Sequence, residues 1–288
     1  MPISLAISGL INAALASAPN YQHALSLGVV QSVLLTGRNA AMPTANLADI
    51  WGYPAIASGQ PVRTLPTAGY SLALISDSTA DVNTSGTGAW TVLISYLDTA
   101  YNSHYAVFAL NGQTAATTAL SIDGGAGGAV TNVLRQNGME VLTAGTGLVN
   151  AGNLYACDST NTYTAGVPVT TTKVFDFMVA GDNIDSNCAY TVPAGYQGMV
   201  LQLIPAINDI TATPKFGKCR IGMTTGSNGI FRGFDLGGLS SNNNPVPITP
   251  ALFPMVPPMS DIRMQGQVSA ATEMACVNQL VIWPVVGP

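Results

Sequence analysis

The stretch Trp90–Leu97, WTVLISYL, decides the fold class of this chain. Five of its eight residues are aromatic or β-branched, and these side chains fit a pleated, half-buried strand best. Tyr105–Leu110 is a second such run, reached through a turn that contains Asn102, and Asn111-Gly112 follows as another turn signal. We therefore predict a β-hairpin at this point in the chain.

Strand-like runs of similar length continue on both sides of this hairpin, and Gly, Asn and Pro turns separate them. No helical pattern alternates with them, so a parallel α/β sheet is not expected. We predict an all-β protein with a β-sandwich or jelly-roll core, and two sandwiches remain an open form of it. The further runs are Tyr70–Ser76, Val130–Leu134, Met139–Leu142, Gly152–Ala156, Lys173–Val179, Cys188–Val192, Gly198–Ile204, Lys218–Met223, Gly229–Phe234, Asp261–Val268 and Glu273–Trp283.

The N-terminal part of the chain differs from the rest in composition and in the spacing of its apolar residues. Apolar residues recur at helical spacings in Ile3–Leu15 and Tyr21–Leu35, which predicts one or two short helices. The following stretch, Thr36–Thr67, is rich in Pro, Gly and Ala and is expected to run as an extended arm. Burial of Trp51 and Tyr53 would anchor this arm, because aromatic side chains gain most from leaving water.

This difference in composition and apolar spacing predicts two regions of the chain. Residues 1–66 form the N-terminal arm with its short helices, and residues 67–288 form the β-sandwich region. The Gly-rich segment Asp123–Gly128 marks a candidate sub-domain boundary near residues 112–129. An uninterrupted apolar run of about 18 residues is missing, so no membrane span is expected.

Charge is scarce throughout the sequence. Only 8% of the residues are Asp, Glu, Lys or Arg, against about 25% in ordinary soluble domains. A composition that is 48% hydrophobic with a net charge of −5 is not that of a disordered chain. The balance favours a folded protein whose surface is covered by neighbours, or one that works outside the cell.

Nucleic-acid binding is not expected, because it needs clustered cations. The nine basic residues are scattered, and the tightest group is Lys215, Lys218 and Arg220. The remaining basic residues are Arg38, Arg63, Arg135, Lys173, Arg232 and Arg263.

Catalytic chemistry finds little support in the sequence. The two histidines, His23 and His104, are isolated, and no Gly-x-Ser-x-Gly elbow is present. A glycosidase needs two facing carboxylates, and the chain has only two glutamates, Glu140 and Glu273. The Gly-rich segment Gly124–Gly128 lacks the Lys of a phosphate loop. We expect no enzyme activity, no catalytic residue, no cofactor and no small-molecule substrate.

Two acidic loops, Asp77 with Asp81 and Asp182 with Asp185, are candidate calcium sites. Oxygen ligands of this kind suit calcium, and Asn183 and Asn187 lie close to the second pair. Neither loop has the spacing of a calcium motif, so structural Asx turns are the preferred interpretation and no metal site is predicted.

The four cysteines are widely spaced and form no Cys-x-x-Cys pair. We expect free, buried thiols, with disulfides open if the protein matures outside the cytoplasm. These residues are Cys157, Cys188, Cys219 and Cys276.

Several segments, taken in order, resemble a poorly characterised family of bacteriophage virion proteins from aquatic phages. The resemblance covers about Gly69 to the C-terminus, and it implies a β-sandwich subunit of a phage head or tail, repeated by symmetry, without catalytic residues. The segments are Gly86–Asp98 (GTGAWTVLISYLD, with Tyr101 after it), Leu110–Gly112 (LNG), Gly145–Leu154 (GTGLVNAGNL), Ala180–Gly195 (AGDNIDSNCAYTVPAG) and Pro257–Arg263 (PPMSDIR).

The resulting hypothesis is a virion structural protein: a capsid shell, cement or decoration subunit, or a tail component. It would assemble in the host cytoplasm with copies of itself and other virion proteins, without nucleic-acid contact or a membrane. The alternative is a receptor- or glycan-binding module of a phage tail or cell surface, with Trp51, Trp90 and Trp283 as candidate platforms. A secreted hydrolase with Asp-based chemistry is the third hypothesis.

Overall fold

Antiparallel strands make up almost all the regular structure of the chain. The computed structural model describes residues 28, 30–53, 62–208, 213–225, 231–241 and 255–285. Strands account for 59% of the structure and helical residues for 2%, which confirms the all-β prediction. In chain order the strands are β1 (Gln31–Met42), β2 (Ala48–Asp49), β3 (Leu72–Ser76), β4 (Ala89–Asp98), β5 (Ser103–Ala109), β6 (Ala119–Ile122), β7 (Val133–Ala144), β8 (Leu154–Asp158), β9 (Tyr163–Thr164), β10 (Val167–Pro168), β11 (Val174–Met178), β12 (Ala189–Thr191), β13 (Tyr196–Asn208), β14 (Phe216–Thr225), β15 (Phe231–Ser240), β16 (Ser260–Val268) and β17 (Thr272–Pro284).

The first sandwich packs the sheet β6-β5-β4-β7 against the sheet β11-β8-β3. The predicted hairpin is its centre: β4 pairs antiparallel with β5, and Ile94 lies opposite Ala106. Ile94 and Phe108 point into the core together with Leu74 from the facing sheet, and all three are fully buried. Because successive side chains of a strand point to opposite faces, these three apolar side chains share the face that is turned to the core.

The second sandwich packs the sheet β1-β17-β13 against a sheet with the order β12-β16-β14-β15, to which β2 is added beside β16. Its core contains Leu203 and Leu280 from the first of these sheets and Met264 from the other, all with no exposed surface. The two sandwiches bury separate hydrophobic clusters, so the two-sandwich form left open by the sequence is the one observed.

The chain enters the second sandwich first and completes it last. Strands β1 and β2 belong to the second sandwich, and β3 to β8 together with β11 build the first. The strands β9 and β10 pair only with each other, and β12 to β17 return to the second sandwich. Two crossings therefore join the sandwiches, one after β2 and one before β12.

The sheet β11-β8-β3 is buried on both of its faces. One face meets the core of the first sandwich, and the other packs under Trp51 and Tyr53, which follow β2. The ring of Tyr53 lies 5.5 Å from that of Phe177 and 6.1 Å from that of Tyr155. Both predicted anchors are therefore confirmed as buried residues, and they tie the first crossing to the sheet.

The predicted helix over Tyr21–Leu35 is wrong from Gln31 onward, where the chain is strand β1 and pairs antiparallel with β17. A short apolar run fits a period of two as well as a helical period, and here the partner strand decides. Of the rest of this prediction only Gly28 and Val30 are described, as a turn and a bend, and all of Ile3–Leu15 lies outside the described residues. The predicted arm, residues 1–66, contains β1 and β2, so its described part includes paired strands of the second sandwich.

The stretch proposed as a sub-domain boundary, residues 112–129, contains β6, which pairs with β5 inside the first sandwich. Ala119 of β6 and Val130, the first residue after this stretch, lie in the same hydrophobic cluster as Phe108. The core of the first sandwich therefore continues across this stretch, and the chain changes from one core to the other after β2 and again between β11 and β12.

Two Gly-Thr-Gly motifs, one before β4 and one after β7, lie side by side. The amide of Gly145 donates to the carbonyl of Gly88 at 2.7 Å, and that of Gly147 donates to the carbonyl of Thr87 at 2.8 Å. A Cβ added at Gly145 would overlap the carbonyl oxygen of Gly86. The repeated motif is thus a contact between two turns, which continues the β4–β7 ladder beyond the strand ends.

We expect Gly145→Ala to lower the free energy of unfolding by about 1–3 kcal/mol, because the added methyl group has no room against the facing turn. Urea denaturation measures the change. The matched control is Gly138→Ala, where a Cβ meets no atom within 4 Å, and we expect a change within about 0.5 kcal/mol. Equal losses in the two variants would contradict the close packing of the turns.

Candidate functional site

The seam between the two sandwiches carries a buried ion pair. Arg135 of β7 and Asp261 of β16 are 3% and 4% exposed. The Nε and Nη2 atoms of Arg135 donate to the two carboxylate oxygens of Asp261 at 2.8 and 3.0 Å. Thr191 of β12 donates its hydroxyl to the same carboxylate at 2.6 Å. A bidentate pair of this kind fixes direction as well as distance, so it sets how the sandwiches meet.

A second polar cluster lies on the first crossing. The carboxylate of Asp49 accepts the backbone amide of Arg63 at 2.6 Å and the side chain of Gln265 at 2.8 Å. Arg263 lies 3.4 Å from the same carboxylate, and the guanidinium of Arg63 reaches the carbonyl of Gln136 in the first sandwich at 3.1 Å. Burial raises the pKa of Asp49, and its partners act against that shift.

A cleft of about 370 Å³ opens at the edge of this seam. Its floor is the outer face of the β4–β5 hairpin, where Ser95 lies opposite Tyr105 and Leu97 lies opposite Ser103. The lining also includes Val33 of β1, Asn137 of β7 and Tyr190 of β12. Both sandwiches therefore contribute to one concave surface.

His104 is held beside the cleft between two carboxylates. Its Nδ1 atom lies 2.7 Å from Asp123, and its Nε2 atom lies 3.3 Å from Asp98. The imidazole also stacks on Tyr96, with the ring centroids 5.4 Å apart. The hydrogen bond to Asp123 raises the pKa of His104, and the contact with Asp98 adds to it. His23 lies outside the described residues.

The carboxylates of the first acidic loop are occupied by protein donors. Asp81 is fully buried and accepts the amides of Ala89, Ala151 and Gly152 and the hydroxyl of Ser76, at 2.6 to 2.9 Å. A carboxylate that accepts four hydrogen bonds offers no oxygen lone pair to an added cation. Its role in this structure is to join the turn before β4 to the turn before β8.

Asp77, the other acid of this loop, is held in the same way. It accepts the backbone amide and the side-chain amide of Asn153 at 2.8 Å, and the hydroxyl of Tyr155 at 3.1 Å. The donors to Asp77 lie 76 to 78 residues away in sequence, so its carboxylate bridges distant segments and does not form the local Asx turn that was predicted.

The second acidic loop is organised by its asparagines. Asn183 has a positive φ of 59° and exchanges two hydrogen bonds with Asn150, at 3.0 and 3.1 Å. Asp182 is exposed, and the amide of Asp185 donates to the carbonyl of Met139. Among the residues that the structure describes, no group of three His, Cys, Asp or Glu side chains is placed to hold a metal ion.

All four cysteines are free and buried. Cys188, Cys219 and Cys276 lie in the core of the second sandwich, and Cys157 lies on β8, on the face of its sheet that Trp51 and Tyr53 cover. Burial raises the pKa of Cys157 and Cys188, which keeps these thiols protonated.

The basic residues singled out by the sequence lie on or beside β14. Arg220 is 3.8 Å from Asp235 on the neighbouring strand, while Lys218 is exposed. In the described parts of the chain, no helix is long and apolar enough to cross a membrane.

Two of the three tryptophans proposed as glycan platforms, Trp51 and Trp283, are buried and present no ring to a ligand. Trp90 is half-buried and donates its indole N–H to the carbonyl of Gly86 at 2.7 Å. The exposed aromatic residue of the cleft is Tyr105. From the sequence it was predicted only as a strand residue and not as a binding residue. The alternation of side chains along β5 could have indicated this exposure, because Ala106 and Phe108 point into the core and Tyr105 points to the other face of the sheet.

Comparisons with known proteins do not place the chain in a family. No family model and no curated protein matches its sequence. A solved structure of T=1 particles derived from infectious bursal virus aligns with 90% of this chain and 74% of that chain, at 12% identity and a TM-score of 0.10. A TM-score of that size carries no inference about fold or function.

We expect Arg135→Met to lower the free energy of unfolding by about 3–5 kcal/mol, because it leaves Asp261 buried without its counter-charge. Denaturant unfolding measures the loss. The control is Arg38→Met, which removes the more exposed ion pair between Arg38 and Glu273, whose charged atoms lie 3.7 Å apart. We expect it to lower the free energy of unfolding by about 0–1 kcal/mol. The double variant Arg135→Met with Asp261→Leu should recover part of the loss. A single variant as stable as the control would contradict the role of this pair.

We expect His104 to stabilise the fold more in acid than in alkali. A raised pKa means that folding favours the protonated ring, so this stability is fully present below the unfolded pKa of about 6.5 and is lost as the pH rises through the folded pKa. The variant His104→Gln should therefore lose more unfolding free energy at pH 5.5 than at pH 9. Urea titrations at the two pH values measure both losses, and a larger loss at pH 9 would contradict the prediction.

Proposed function

We propose that this chain is a non-enzymatic structural protein of a bacteriophage particle. It serves as a repeated building block of the capsid shell, of a cement or decoration layer, or of the tail. Copies of itself and other virion proteins are its partners, and it acts in the virion after assembly in the host cytoplasm.

The observation that carries this proposal is the surface of the folded chain. In the described residues, thirteen large apolar side chains are exposed, whereas only seven charged side chains are. A free monomer normally covers itself with charges of both signs. Protein interfaces are instead depleted of Lys, Glu and Asp at their centres, so this surface suits a subunit with neighbours on several sides.

Three of the exposed apolar residues lie close together on the first sandwich. Leu142, Leu148 and Ile184 are 46%, 75% and 49% exposed. Two hydrogen bonds hold their three segments together. The amide of Val141 donates to the carbonyl of Asn183, and the side chain of Asn183 donates to the carbonyl of Leu148. We assign this apolar patch (Leu142, Leu148 and Ile184) as a contact between copies of the chain.

The sequence resemblance to phage virion proteins supports the same proposal. Three of the resembling segments contain turns that bind other parts of the first sandwich: the two Gly-Thr-Gly motifs contact each other, and the segment around Asn183 is bound to Asn150. These turns hold the strands of the first sandwich in place, which is what a passive building block requires.

We expect the purified full-length chain to form a defined oligomer or shell as its concentration rises, measured by mass photometry and light scattering. The variant Leu148→Asp should shift the population toward monomer, because a charge would be buried at the contact. Thr131→Asp, which adds the same charge at an exposed polar position, is the control and should assemble normally.

A monomer at every concentration would contradict the building-block proposal. An oligomer that Leu148→Asp leaves unchanged would contradict only the assignment of the apolar patch. A chain that lacks residues 1–27 keeps β1 and β2 paired and tests the contribution of the N-terminal segment, whereas removal of residues 1–66 would also delete both strands.

A further inference from the structure

The cleft at the seam of the two sandwiches has the dimensions of a ligand site. Its volume of about 370 Å³ falls within the 300–1,000 Å³ that is typical of small-molecule sites in proteins. Such sites favour the junction between two folded units, because two walls can then converge on one ligand. Here the outer face of the β4–β5 hairpin supplies one wall, and Val33 and Tyr190 of the second sandwich belong to the other.

The side chains of the cleft combine flat apolar surface with hydroxyl groups. Tyr105 is 43% exposed and presents part of its ring to solvent, and Tyr190 contributes a second aromatic ring. The hydroxyls of Ser95, Ser103 and Tyr105 make no hydrogen bond to another described residue, so they are available to a ligand. Tyrosine suits such a surface because one end of its side chain is apolar and the other is polar.

Charge at the cleft limits the ligand class further. No Lys, Arg, Asp or Glu is among the residues that line it, and the imidazole of His104 is already bound by Asp98 and Asp123. A phosphate or a carboxylate ligand would find no free counter-charge here. A purely aliphatic ligand would leave the three free hydroxyls without partners, which is costly once water is excluded.

The walls of the cleft are fixed before any ligand arrives. The side chain of Asn137 donates to the carbonyl of Thr191 at 2.8 Å and accepts its amide at 2.9 Å. These two bonds join β7 to β12 at the side of the cleft, next to the ion pair between Arg135 and Asp261. Preorganised walls lower the entropy cost of binding a small polar molecule.

We propose that this cleft binds a neutral saccharide. A pyranose ring has one apolar C–H face, which can pack on the ring of Tyr105, and hydroxyls around its edge, which can bond to Ser95 and Ser103. This site is independent of the virion proposal, because every residue of it belongs to a single copy of the chain.

Saturation-transfer difference NMR on the full-length chain tests the site with three neutral probes: lactose, maltotriose and N,N′-diacetylchitobiose. We expect at least one of them to bind. Tyr105→Ala should weaken that binding by about tenfold or more, because an exposed aromatic ring carries much of the contact energy in such sites. Ser95→Phe should abolish it by filling the floor of the cleft.

The control variant is Phe216→Ala, which removes an exposed aromatic ring from β14 and should leave binding unchanged. Absence of binding by all three probes would overturn the proposal. Binding that survives both Tyr105→Ala and Ser95→Phe would also overturn it, because the ligand would then lie elsewhere. Tighter binding of the acidic probe 3′-sialyllactose than of lactose would overturn the assignment of a neutral ligand.

Discussion

The ion pair between Arg135 and Asp261 is the interaction on which the relation of the two sandwiches depends. Each sandwich has its own hydrophobic core, so apolar burial alone would leave their mutual orientation weakly determined. A bidentate guanidinium–carboxylate contact accepts only a narrow range of geometries. Because Thr191 donates to the same carboxylate, β12 is fixed at the point where the chain returns to the second sandwich.

The first crossing is secured by different physics. Trp51 and Tyr53 cover the outer face of the sheet β11-β8-β3, so nearly all of this sheet is buried. Directly before them, Asp49 gathers Arg63, Gln265 and Arg263 around one carboxylate. Aromatic burial and buried hydrogen bonds together make the inserted sandwich part of one molecule, and the cleft at the seam follows from that arrangement.

The few charged residues of the chain are divided between its interior and its surface. Six of the described charged side chains are buried and only seven are exposed, so burial removes part of an already small set of charges from the surface; the buried ones are Asp49, Arg63, Asp81, Arg135, Asp176 and Asp261. Burying a charge is costly unless it is paired, and a buried ion pair such as that of Arg135 with Asp261 removes two charges from solvent at once. The exposed surface therefore carries apolar side chains where a dispersed monomer would carry Lys and Glu, and this links the fold to the proposed assembly.

Local sequence by itself determined the fold class, because aromatic and β-branched runs such as Trp90–Leu97 carry their strand preference wherever the chain places them. It also indicated the burial of Trp51 and Tyr53, since large aromatic rings gain most from leaving water. Only the tertiary structure decided that Gln31–Leu35 is a strand, because its partner β17 lies over 200 residues away. The pairing of Arg135 with Asp261 and the cleft beside Tyr105 were likewise beyond sequence reasoning, since both arise where distant segments meet across two separate cores.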